Sequence, residues 1–506
     1  MNPILGFAPD APTTTPGILL DCVQFIPYDS GMRAAPSPRS VAEALDETCR
    51  GAFTGTKISG TRRVFAGTAT KLYELSGTAW SDVSRGAGYS LGAEDQWSFT
   101  QFGDTTVAAC LDNVIQTSSS GAFADQATAP TAAIVESVLS SGGGFVLAFN
   151  TIDGTYGTSP DRWWCCALND VTSWTPSVAS QANTGRLIGG TGTITAAKQM
   201  GADRIVAYKS RSIYVGSYVG PPTVWSWQEI PLYGAAGLHA VADIGTAHFV
   251  VGQDNIYIFD GARPIPVADG TVRQWFLENS SGTYRYKTNV KFDRNNNLVW
   301  IFYCSATNSV GTLDSALVYH LKTGQWGRAN RSVQATLVFN SPGETFDASS
   351  GTFDSDLGIY DQLAPGNDVL AIFTEQNQYG GYAAPGYMES GYLLESNFLS
   401  VLDSPPEDSS FTLCDVGTDD MVTRLTKAKL QYMTRPTASS VNAFGSMATG
   451  GGVTASDFQS AHDVPANGNN AFPLRQTARW HRLQFNFTGS CKVVGYDVPL
   501  NPAGTR

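Results

Sequence analysis

The sequence predicts an all-β chain: a β-propeller of five to seven blades, an N-terminal extended arm and a C-terminal domain resembling a β-sandwich. Three observations predict it. The first is a hairpin unit that recurs about half the chain apart. Leu72-Tyr73-Glu74-Leu75-Ser76-Gly77-Thr78-Ala79-Trp80 reads apolar–Tyr–polar–Leu, a Gly turn and a Trp. Val318-Tyr319-His320-Leu321-Lys322-Thr323-Gly324-Gln325-Trp326 repeats it with the glycine moved by one place, and Ile256-Tyr257-Ile258-Phe259-Asp260-Gly261 opens the same way without the Trp. One β-hairpin repeated between long β-rich spacers points to radial repetition.

The second observation is a Gly turn that leads into an alternating strand. Copies begin at Gly103, Gly201 and Gly245, a further copy is Gly142-Gly143-Gly144-Phe145-Val146-Leu147, and Asp293-Arg294-Asn295-Asn296-Asn297 leads into a fifth. Gly201 and Gly245 are 44 residues apart, within the ~40–50 residues of a propeller blade. The third is composition. The 52 glycines and the Ser/Thr/Ala tracts favour short strands and turns over helices. Only Ser40-Val41-Ala42-Glu43-Ala44-Leu45 reads as helical.

Taken in order, residues 1–58 contain Pro3, Pro9, Pro12, Pro16, Pro27, Pro36 and Pro38, spaced so as to exclude regular helix and to suit an extended arm. Within the arm, Gly17–Leu20 and Val23–Pro27 are candidate strands, placed to pack on a neighbour or close a sheet. Residues 59–385 contain the repeats, and Trp80 and Trp326 are expected to pack between or within blades. Residues 386–506 change character. The blade pattern ends after Gln378-Tyr379-Gly380-Gly381-Tyr382, and Gly450-Gly451-Gly452 breaks the chain again. Arg482-Leu483-Gln484-Phe485-Asn486-Phe487 is a half-buried strand with Leu483, Phe485 and Phe487 on one face.

A 506-residue chain with 42% hydrophobic residues can bury a large core. Its net charge of −12, from 44 acidic and 32 basic residues, argues against a phosphate-gripping nucleic-acid reader, which displaces counterions with clustered Lys and Arg. No basic n-region with an apolar run follows Met1, and no stretch reaches the ~20 apolar residues of a membrane span. The expectation is a protein that is made, and stays, in the cytoplasm.

The eight cysteines, at 22, 49, 110, 165, 166, 304, 414 and 491, form no CxxC pair; buried free thiols are expected. His239, His248, His320, His462 and His481 lie at no metal-ligating spacing and are read as packing or surface residues. Gly189-Gly190-Thr191-Gly192 lacks the Gly-Lys-Ser/Thr ending of a phosphate loop and reads as a hairpin turn. Asp293–Asn297 lacks the Gly and distant Glu of a calcium loop and reads as a turn. Asp419-Asp420 and Glu407-Asp408 sit in polar loops. No catalytic, cofactor-binding or metal site is expected. A propeller is a scaffold, which favours binding and assembly over chemistry.

Three stretches, in order, resemble the tail hub, or nozzle, proteins of short-tailed bacteriophages. They are Pro160-Asp161-Arg162-Trp163-Trp164-Cys165-Cys166-Ala167-Leu168-Asn169-Asp170-Val171-Thr172-Ser173-Trp174-Thr175-Pro176, then Arg204-Ile205-Val206-Ala207-Tyr208-Lys209-Ser210-Arg211-Ser212-Ile213-Tyr214-Val215 with Trp225-Ser226-Trp227. The last is Thr477-Ala478-Arg479-Trp480-His481-Arg482, followed by the Gly489 turn and Gly495-Tyr496-Asp497-Val498. Cys165-Cys166 departs from the small polar residues usual there. The resemblance implies a structural virion protein without enzyme activity or cofactor. It implies a homo-oligomeric ring, a hexamer, below the portal and adaptor, with tail fibres and a tail tip or needle as further partners. Phage DNA would pass through its central channel without specific binding, past a neutral or acidic wall, for retention and ejection. Subunits would meet through propeller sides, and host lysis would release the virion. Two rival classes are a generic binding propeller and a glycan-acting propeller enzyme; the latter needs converging carboxylates, and the Ser-x-Asp-x-Gly-x-x-Trp box of sialidase-type propellers is missing.

Overall fold

The computed structural model describes residues 2–340, 368–374, 397–404, 406, 408–448, 463–466 and 470–504. Gln378–Tyr382, Glu407, Gly450–Gly452 and His462 lie outside the described residues.

Seven four-stranded antiparallel units form a propeller. Each runs outward from an innermost strand, because a two-residue or short turn can join only antiparallel neighbours. The first four blades are Gly51–Thr56 to Ala79–Asp82, Ser98–Phe102 to Ala124–Asp125, Thr131–Ser140 to Asn183–Arg186, and Ile194–Gln199 to Val224–Pro231. Blade 5 is Val241–Asp243 to Pro264–Pro266, and blade 6 is Asn289–Asp293 to Trp326–Val333. Blade 7 takes Ala335–Asn340, Asp368–Thr374 and Asn397–Ser404 from one end of the sequence and Ser37–Leu45 from the other. The innermost strands touch their neighbours around a closed ring, the seventh returning to the first.

The sequence repeats fall on equivalent positions. Gly103, Gly201 and Gly245 lie in, and Gly143 and Asn297 close, the turn between the first and second strands of blades 2 to 6, and all have positive φ. Glycine adopts that backbone without a Cβ clash, and Asn tolerates it. The Tyr-containing units are the last hairpins of blades 1, 5 and 6, with Gly77, Gly261 and Gly324 at φ 65, 92 and 70.

Trp326 is fully buried, with its ring 4.6 Å from that of Tyr319. Trp80 is half-buried between blades: its indole N–H donates to the Glu43 carbonyl (2.9 Å), and its ring lies 5.7 Å from that of Phe373.

Residues 1–58 differ from an extended arm. Ile18–Val23, Phe25–Tyr28 and Gly31–Ala34 are strands of the second domain, and Gly51–Thr56 opens blade 1. The prolines at 9, 12 and 16 fall between strands, where no ladder hydrogen bond is lost. Ser40–Leu45 is strand rather than helix. Its pairing with Asn397–Ser404 supplies hydrogen bonds that local propensity cannot anticipate. In chain order the propeller therefore begins with Ser37–Leu45 of blade 7, resumes at residue 51 and extends to residue 404.

The second domain packs two sheets face to face. One holds Phe25–Tyr28, Gly31–Ala34, Lys492–Asp497, Val422–Thr434 and Ala471–Ala478; the other holds Ile18–Val23, Ser409–Leu413, Trp480–Thr488 and Ala438–Ser446. Phe411, Phe485 and Phe487 of the second sheet meet Phe25 and Phe472 of the first. Phe25 also pairs with Arg328, which joins this domain to the outer edge of blade 6. Leu483, Phe485 and Phe487 share one buried face, as the alternation predicted. The one α-helix among the described residues, Arg273–Asn279, is too short to cross a membrane. Asp10 accepts from the Gln274 and Trp275 amides at its start.

Trp326→Ala is expected to destabilise the protein by ~3–5 kcal/mol through the lost burial and the cavity left behind. Chemical denaturation would measure it, and an unchanged midpoint would contradict the packing of this hairpin.

Candidate functional site

Because seven innermost strands cannot all pair across the axis, they leave a space there. A cavity of about 140 Å³ is lined by residues from the innermost strand of every blade, including Phe53, Ser98, Val135, Val241 and Thr336. Its charged or titratable lining is Lys198, Lys291 and His239, with no carboxylate. A second space of about 400 Å³ adjoins it, sharing Lys198 and Lys291, and here the acids gather: Glu136, Asp243, Asp293 and Asp368, beside Arg294.

The two lysines differ. Lys198 Nζ reaches Glu136 Oε2 at 3.0 Å, and Glu136 Oε1 also accepts from the Gln199 amide at 3.2 Å. The Lys291 ammonium has no hydrogen-bond or ion-pair partner among the described residues. Burial, and then the neighbouring Lys198 charge, bring its amine down to about 8. His239 is pushed to about 3 by burial and by the same two cations, so it is neutral. Asn289 accepts from the Thr336 hydroxyl at 2.7 Å.

One mouth is bridged. Glu94, on the connection into blade 2, accepts from the Tyr286 hydroxyl (2.7 Å) and pairs with Lys287 (2.8 Å), both on the connection into blade 6. These contacts hold the Glu94 carboxyl below its ordinary range, the Lys287 bond counting most. The Tyr286 backbone lies so close to Gly237 that a Cβ there would sit 1.7 Å from its carbonyl oxygen, so only glycine fits.

Sequence reasoning passed over Lys198 and Lys291 and read His239 as a packing or surface residue. A signal existed: both lysines interrupt apolar strands just before the turns at Gly201 and Asp293–Asn297, the segments that become innermost strands.

The other candidates are structural. His248 is buried; Tyr208 donates to its Nδ1 (2.7 Å), and its Nε2 faces the Gln199 carbonyl (2.8 Å). His481 lies between Thr423 and Gln476, and His320 contacts Thr323 and Asp29. Asp293–Asn297 forms a turn in which Asp293 accepts from Asn296. Gly189–Gly192 is no hairpin: it crosses from blade 3 to blade 4, because an outermost strand must return to the next innermost one. There the buried Lys209 donates to the Leu187 and Gly190 carbonyls at 2.6 Å each. Asp419 accepts from the Trp480 indole at 2.8 Å. All eight cysteines are free and buried. Cys165 and Cys166 face different interblade cores, as alternation along a strand requires, and burial pushes the Cys166 thiol up to about 12. Among the described residues no group of three or more His, Cys, Asp or Glu could hold a metal ion.

No protein-family model and no curated protein matches the chain. Among solved structures, it is similar to BBS1N in its crystal structure with ARL6DN: 11% identity over 73% of this chain and 96% of that one, TM-score 0.37. It is also similar to the PQQ-bound aldose sugar dehydrogenase of Streptomyces coelicolor: 10% identity over 72% and 96%, TM-score 0.32. Likenesses this distant leave the function to the chain's own residues.

Burial holds both His248 and His481 near pKa 4 against an ordinary 6.5. Between those values the unfolded chain binds protons that the folded chain does not. Stability from these groups is therefore complete above about pH 6.5 and is lost as pH falls toward 4. His248→Gln should flatten the melting temperature between pH 6.5 and 5; an unaltered slope would contradict a neutral His248.

Proposed function

We propose that this chain is the tail hub, or nozzle, subunit of a short-tailed bacteriophage. It is a structural virion protein that forms a ring around the DNA path, below the portal and adaptor, and serves DNA retention and ejection. The observation that carries the reading is the order of the three hub-like stretches along the chain. They belong to the third blade, the fourth blade and the sandwich, so the likeness spans both domains.

A row of exposed apolar residues supports an assembly surface. Ile58, Leu139, Val178 and Val219 are 81%, 65%, 64% and 53% exposed. All lie in or beside turns that strand direction puts on one face of the propeller, in blades 1, 3 and 4. Blade 2 fills the gap: a Cβ on Gly103 would meet Ile58, and one on Gly144 would meet Phe102. Single exposed apolar residues are ordinary, but an arc of them across successive blades fits a subunit contact. This favours a contact that includes one propeller face over sides alone. In this reading six subunits close the ring, with adaptor, fibres and tail tip or needle as neighbours. The DNA is enclosed without sequence-specific binding, which an acidic chain suits.

Quantitative mass spectrometry of virions should find this 53.9 kDa chain at six copies per tail; its absence from the particle would end the proposal. Ile58→Glu with Val219→Glu should abolish ring assembly while changing subunit stability by only about 0.5 kcal/mol per site. Rings formed normally by the double variant would remove this face from the contact.

A further inference from the structure

We propose that the axial cavity of the propeller binds a small oxyanion, of the size and charge of inorganic phosphate, between the ammonium groups of Lys291 and Lys198. This site is separate from the ring contacts of the proposed hub.

The lining of the 140 Å³ cavity is cationic or neutral, and the carboxylates of the axis line the adjoining space instead. The separation is set by strand register. Lys291 lies toward the middle of Asn289–Asp293, while Asp293 ends that strand at the turn. Glu136 already engages Lys198 and the Gln199 amide, so it does not neutralise Lys291. Lys291 is half-buried, and a cation drawn partly out of water without a counter-charge is costly. Lys291 nonetheless stays largely protonated at neutral pH, its amine titrating near 8, and an anion in the cavity would supply the missing partner.

Neutral donors complete the setting. Thr336 occupies Asn289 Oδ1, which leaves the Asn289 amide N–H groups as donors on the lining. His239 is neutral and keeps one ring N–H. Two ammonium groups with amide and imidazole donors suit a tetrahedral oxyanion, whose oxygens each accept more than one hydrogen bond. The volume is several times the ~30 Å³ share of one water molecule, which is room for such an anion. The Glu94–Tyr286–Lys287 bridge spans one mouth of the axis, which favours a small ion over a polymer. A free ion, not a nucleic-acid strand, fits.

The test uses the full chain at pH 7. Isothermal titration with sodium phosphate, against sodium chloride at equal ionic strength, should show one site per chain. Lys291→Gln should weaken phosphate by about tenfold or more, the loss of one charge-assisted contact. Should that variant fail to fold, acetic anhydride labelling of the wild type read by mass spectrometry decides instead. Phosphate should slow acetylation of Lys291 and not of exposed Lys322. Adenosine monophosphate, bulkier than phosphate and brought beside the carboxylates of the adjoining space, should bind more weakly than phosphate and protect Lys291 less. No phosphate heat beyond the chloride control, equal affinity in Lys291→Gln, equal protection of both lysines, or protection by the nucleotide alone would each overturn the proposal.

Discussion

The pairing of Ser37–Leu45 with Asn397–Ser404 is the contact on which the rest of the propeller depends. Each blade of the ring leaves only its outermost strand as an edge, and blade 7 has that strand only when Ser37–Leu45 joins it. An unpaired Asn397–Ser404 would present a row of open N–H and C=O groups. Completing it from the other end of the chain costs the closure entropy of a very long loop, which grows only slowly with length. The gain is local and large. Ala42 and Leu45 enter the same core as Leu399, Val401 and Phe373, Trp80 packs on that core from blade 1, and Arg39 makes a two-pronged contact with Asp403. The clasp thus ties blade 7 to blade 1 through side chains as well as through the ladder.

That clasp also explains why the two domains are one unit. To deliver residue 37 to the seventh blade, the chain first runs through the sandwich, contributing strands to both of its sheets. After residue 404 it returns there at once. Tyr496 and Cys414, late in sequence, contact Gly17 and each other near the start of the chain. Loosening the N-terminal strands would therefore disturb the sandwich and open the ring together.

What was legible in the sequence follows from the range of each interaction. The turns at Gly103, Gly201, Gly245 and Asn297 were legible because positive φ is a demand on one residue, met by Gly or Asn wherever it recurs. The alternation of Leu483, Phe485 and Phe487 was legible because a pleat alternates within one strand. Ser40–Leu45 was misread because its partner lies more than 350 residues away, and its Ala-Glu-Ala-Leu run has helical propensity on its own. The axial residues were illegible for a different reason. Each blade contributes only two or three positions to the axis, so Lys198, His239 and Lys291 share no spacing. They become neighbours only when the ring closes.

Closure also separates the charges of this chain by environment. Its −12 net charge sets the field outside, but salt limits the reach of surface charge to about 8–10 Å. Inside, the local count decides. Around the smaller axial cavity that count is positive; in the adjoining space the acids outnumber the bases. A net charge computed for the whole sequence averages these compartments and describes neither. The arrangement follows from where each inner strand ends. Residues near its turn are carried to one mouth of the channel, and residues a step or two earlier face its middle. The blade register that makes a closed propeller possible thereby fixes, without further design, which charges meet at the axis.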